Sequence, residues 1–210
     1  MTRTLTLAAA ILLTSATAAL AHHPLGGMTP QTFYQGLLSG VGHPVIGFDH
    51  LAFVVAVGLI AAFHRARMVM PAAFIAGTVG GTMLTLAAVT LPFAEIVIAA
   101  SVVAAGAAAM RGKVTDIRPA AALAAGAGLF HGWAYGAAVV GAETAPVMAY
   151  LLGFAAVQLA IAFAVMWAAA RLWKVVDAGA LQPRLAGAVI AGVGGTYMVE
   201  IVEPLIFPAM

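Results

Sequence analysis

The chain has 210 residues, of which 64% are hydrophobic and only 8% charged, with a net charge of +2 and no cysteine. Soluble domains carry roughly 25% charged residues, so this composition sets soluble folds aside, and the lack of cysteine excludes disulfides and thiolate metal ligation. The apolar residues come in blocks of about 20, the length that crosses a bilayer core. The expected fold is therefore all-α: a polytopic membrane bundle of six transmembrane helices after an N-terminal signal peptide.

Residues 1–21 read as that signal. Arg3 forms a short basic region, residues 5–13 an apolar core, and Ala19-Leu20-Ala21 a small-x-small cleavage site. Cleavage there starts the mature chain at His22-His23, beyond a bacterial inner membrane. The new α-amine and the His22 imidazole form a chelating pair, although a disordered terminus is the favoured reading. Residues 22–42 are polar and glycine-rich and read as an outer-surface segment. Residues 22–210 then make one six-helix domain, with spans at 45–63, 68–90, 93–110, 120–140, 146–173 and 185–207. Prolines 71, 92, 119, 146, 183 and 204 lie near their ends.

Charge orders these spans. With an outside start, the inner loops are 64–67, 111–118 and 171–184. They hold Arg65, Arg67, Arg111, Lys113, Arg118, Arg171, Lys174 and Arg184, which is every lysine and arginine except Arg3. This obeys the positive-inside rule and puts both mature termini in the periplasm. The basic balance is thus a topology signal, and no nucleic-acid partner is expected. Asp49, Glu95, Glu143, Glu200 and Glu203 fall toward the outer ends, against Asp116 and Asp177 inside. A mouth lined by carboxylates without compensating cations concentrates cations.

The first span opens on His43-Pro44-Val45-Ile46-Gly47-Phe48-Asp49-His50. Ionisable groups at membrane depth are costly and mark an ion or substrate path, and imidazole with carboxylate suits a borderline divalent metal. In a straight helix His43 and His50 share a face but stand about 10.5 Å apart along the axis. Pro44 and Gly47 both weaken helical geometry, so a broken start to the span is expected to fold the ligands together around a cavity. Asp49, adjacent to His50, either ligates or supports it. His131, near the middle of the fourth span, reads as a path ligand or gate, with Tyr135 one turn away as its polar partner. Glu95, opening the third span, reads as an outer metal contact, with Ser101 on a shared line. Gln158 is a weaker candidate, equally read as an inter-helix hydrogen bond. The runs 77–82 and 192–196 are glycine-rich but lie in apolar spans without lysine, so close helix packing explains them better than phosphate binding.

The first of these motifs, continuing into Phe53 and Ala56-Val57-Gly58-Leu59, resembles the opening element of the HupE/UreJ family, as do the Glu95-to-Ser101 element and Phe130-His131-Gly132-x-Ala134. The resemblance covers most of the chain and implies a membrane permease taking up nickel or cobalt for metalloenzyme assembly. Relatives often carry a second histidine where this chain has Tyr135, and another after the Gly-Phe element, where Gly153-Phe154 is followed by Ala155-Ala156-Val157-Gln158. These departures leave the metal open.

The resulting expectation is a secondary permease or channel, not an enzyme, importing nickel or, second, cobalt from periplasm to cytoplasm. His43, Asp49, His50, Glu95 and His131 are its metal contacts. No tightly bound cofactor is expected. The partners are a divalent transition-metal ion and the lipid bilayer, with a second copy of the chain or a metallochaperone as further candidates. The alternatives are a copper or zinc transporter, an intramembrane metal hydrolase using Asp49, the histidines and Ser101, and a passive scaffold for metallocentre assembly.

Overall fold

A computed structural model describes residues 28–174 and 177–207, and they are helical throughout, with no strand among the described residues. Residues 1–21, read from sequence as a signal peptide, and His22 lie outside them. The helices are α1 (Phe33–Ile46), α2 (Phe48–Ala61), α3 (Val69–Leu86), α4 (Ala94–Met110), α5 (Ile117–Gly136), α6 (Thr144–Arg171) and α7 (Leu181–Ile206). A 3-10 turn at Ala137–Val139 follows α5.

Local chemistry sets the helix starts. Pro71, Pro119, Pro146 and Pro183 are each the third residue of their helix. A helix's first amides have no intrahelical acceptor, so a missing N–H costs nothing there. Thr32 caps α1 by accepting from the Gln35 amide, and Asp116 caps α5 by accepting from the Arg118 amide. Gly112 takes a left-handed φ of 63° just after α4, a conformation that ends a helix at least cost in glycine.

Three of these helices, α3, α6 and α7, are long and apolar enough to cross a membrane, and α1 with α2 passes the same test as a pair bent by 80°. The shorter α4 is also apolar. The segment read from sequence as an outer-surface stretch instead contributes α1. Its glycines explain why: Gly36 and Gly40 press against the backbones of Pro146 and Tyr150 on α6, and Gly153 meets Leu37 and Val41 in return. Small residues four apart let two backbones approach in this way.

The same device joins the other pairs. Gly77 and Gly81 of α3 face Ala125, Gly128 and Leu129 of α5, while Gly132 sits on the Thr78 backbone. Gly106 of α4 meets Gly187 and Ala191 of α7, and Gly194 meets Val103. Both glycine-rich runs thus contribute to packing, although Gly192 and Gly195 face open space. The bundle is three close pairs, α1/α6, α3/α5 and α4/α7, with α2 between them. Phe53, Val54, Val57 and Leu59 of α2 form the core with Phe74, Val102, Met166 and Ile190.

Charge separates along the bundle. At one end His64 Nε2 bonds the Thr115 carbonyl at 2.8 Å and Arg184 Nε donates to the Met110 carbonyl at 3.0 Å, which gathers the three basic loops. At the other end Asp49, Glu95 and Glu200 surround a cavity.

Candidate metal path at the acidic end

The chain breaks at Gly47, whose extended φ and ψ of −74° and 102° separate α1 from α2. The break puts His43 at the end of one helix and His50 at the start of the next, with ring centroids 5.9 Å apart. Both rings are buried, at 4% and 6% exposure. A Cβ at position 47 would stand 2.6 Å from His50 Cδ2 and 3.3 Å from Asp49 Oδ1, so the site needs glycine there. Asp49 sits in the first turn of α2, where the helix dipole favours an anion. Its Oδ1 accepts from the His50 amide at 2.8 Å.

The hydrogen-bond partners assign the tautomers of these histidines. Ser101 Oγ donates its one proton to the Ile98 carbonyl at 2.7 Å, so it must accept from His131 Nε2–H at 3.0 Å. That leaves His131 Nδ1 as an acceptor, and His50 Nδ1–H donates to it at 2.8 Å. Likewise Tyr150 Oη donates to the Tyr135 carbonyl at 2.8 Å and therefore accepts from His43 Nδ1–H at 2.9 Å. In neutral His43 and His50, Nε2 is then the nitrogen carrying the lone pair. An outer partner on one nitrogen that fixes the other for a metal is the usual support of a histidine ligand.

His43, Asp49, His50 and Glu95 share the wall of a cavity of about 480 Å³ with Tyr197 and Glu200 of α7. Four of the five residues selected from sequence therefore meet at one cavity, and the fifth, His131, stands directly behind His50. Among the described residues, no group of three or more His, Asp or Glu side chains is assembled closely enough to hold a metal ion as placed. Tyr197 was not visible as a site residue. It shares the cavity wall with Asp49 and His50, which brings α7 beside the start of α2. The available signal was the stripe Tyr197, Glu200, Ile201, Pro204, one face of a helix.

Two expected pairings differ. Ser101 bonds His131 and shares no contact with Glu95 among those observed. Tyr135 places its ring beside His43 and His50, at 4.9 and 4.7 Å between centroids, while the polar partners of His131 are Ser101 and His50. Neither Ser101 nor His131 belongs to the cavity wall. The His131 ring also packs against apolar rings, Phe53 at 4.7 Å and Phe74 at 5.8 Å between centroids.

A family profile described as HupE / UreJ protein matches residues 9–197. The chain is also similar to Protein HupE of Rhizobium leguminosarum bv. viciae, 32% identical over 168 residues, which cover 78% of this chain and 85% of that protein. No solved structure matches the chain. With nearly its whole length matched by the family profile and a relative 32% identical over most of both chains, this chain belongs to the HupE/UreJ family.

Proposed function

We propose that this chain is a secondary permease or channel that carries a transition-metal ion, nickel before cobalt, from the periplasm into the cytoplasm for metalloenzyme assembly. The observation that carries the reading is the orientation of His43 and His50. Both line one acid-mouthed cavity, and both are held by Nδ1–H donation to a buried partner, so Nε2 is the ligating nitrogen. The ion enters past Glu95, Glu200 and Asp49, exchanges water for imidazole, and moves inward past His131. The membrane potential pulls it in the same direction, by roughly 2.3 kcal/mol per charge per 100 mV.

In this reading the protein resides in a bacterial inner membrane and crosses it six times. The bent α1/α2 pair forms one crossing and each of α3 to α7 one more, with residues 1–21 removed and both mature termini periplasmic. The unbroken positive-inside pattern and the gathering of the basic loops at one end support that orientation.

The test is accumulation of radiolabelled nickel and cobalt in cells lacking their own uptake systems, at matched membrane levels of the native chain, His50→Ala and Asp49→Ala. Native uptake that falls at least tenfold in both variants is expected. No uptake by a correctly inserted native chain would discard the transport reading.

A further inference from the structure

Three buried side-chain polar atoms have no hydrogen-bond partner among the described residues: Tyr135 Oη and both amide atoms of Gln158. Tyr135 is fully buried and Gln158 is 1% exposed. Buried polar atoms are almost always paired, because an unmet one forfeits the hydrogen bonds it made in water. Lipid offers no substitute partner. Their persistence in one region of an otherwise satisfied core therefore calls for a use.

Their placement supplies one. Tyr150, Phe154 and Gln158 follow one another at single-turn spacing on one buried face of α6. The register of α6 against α2 is set where Gly58 meets the backbone of Ala162, at 2.8 to 2.9 Å from a Cβ built there. Both helices run from the acidic end toward the basic end. Counted back in single turns from that contact, the register sets Val54 level with Gln158 and His50 level with Phe154. The rings agree, since Tyr135 lies 4.7 Å from His50 and 5.5 Å from Phe154. Tyr135 thus stands level with the His43/His50 pair, and Gln158 about one turn deeper, roughly 5.4 Å along the axis.

We propose that Tyr135 Oη, level with His43 and His50, and Gln158 Oε1, about one turn inward of them, are successive oxygen ligands for a divalent transition-metal ion already stripped of most of its water. This rests on the transport reading and adds to it the step that follows the histidines. Neutral oxygen donors bind a borderline ion more weakly than imidazole does, so they favour onward release over retention. The Gln158 Nε2–H group then donates to a water that the ion keeps. No covalent step is involved.

The experiment compares the full chain in detergent with Tyr135→Phe and Gln158→Met, which remove the polar atoms at nearly constant volume. Three quantities are measured: thermal unfolding, Co²⁺ binding followed by the visible absorption of the bound ion, and initial Ni²⁺ and Co²⁺ uptake in cells. Removing an unpaired polar atom should leave unfolding temperature unchanged or raise it. The expected result is that the variants fold, yet bind Co²⁺ at least threefold more weakly or with an altered spectrum, and take up metal about tenfold more slowly. Variants that fold with native cobalt affinity, spectrum and uptake would overturn the proposal and leave both residues as core. If the native chain takes up no metal, the transport reading fails by itself. The cobalt comparison then still decides whether these oxygens are ligands.

Discussion

His43 and His50 owe their orientation to residues that never touch the cavity. Tyr150 fixes one ring, while Ser101 acts on the other through His131. Outer partners of this kind typically alter metal affinity or activity about 10–100-fold. Tyr150→Phe and Ser101→Ala are therefore expected to insert and fold while lowering nickel uptake by about that factor, measured at matched membrane levels. Native rates in both would mean that the tautomers do not matter. Gly47→Ala tests the break itself: the new methyl meets the His50 ring, so uptake should fall about tenfold or more with little change in membrane level. Sequence alone exposed His43, Asp49 and His50, because charged groups inside an apolar run are conspicuous whatever the fold. Tyr150 was not legible, since its role depends on a carbonyl and an imidazole donated by two other helices.

Helix boundaries followed local rules that a sequence carries openly. Proline in the first turn, Thr32 and Asp116 as caps, and Gly112 beyond α4 all act within a few residues of themselves. The helix α1 was missed because its glycines read locally as a loop, whereas they serve the close contact with α6 through Gly36, Gly40 and Gly153. The glycines divide into two kinds by what surrounds them. At Gly132 an added methyl would collide with the Thr78 backbone, whereas at Gly192 it would meet nothing within 4 Å. Gly132→Ala should cost about 1–3 kcal/mol by overpacking, and Gly192→Ala should be neutral or gain up to about 1 kcal/mol from helix propensity. Thermal unfolding in one detergent separates them, and equal behaviour would refute the pairing of α3 with α5.

At the scale of the whole molecule, most of the acids stand at the end opposite the basic loops, and the cavity opens among Asp49, Glu95 and Glu200. The chain has no cysteine, so single cysteines report orientation without background. Glu143→Cys is expected to react with a membrane-impermeant thiol reagent in intact cells, and Lys113→Cys only after the membrane is opened. The reverse pattern would turn the cavity toward the cytoplasm and contradict import. Membrane class, helical content, charge polarity and the motif histidines were determined by sequence alone, because each depends on composition or on neighbours within one or two turns. The folded arrangement decided the rest: the bend at Gly47 that joins His43 to His50, the Tyr197 and Glu200 wall, and the burial of Tyr135 and Gln158. Those features arise from contacts between helices distant in the chain, set by glycine faces whose partners no local pattern names.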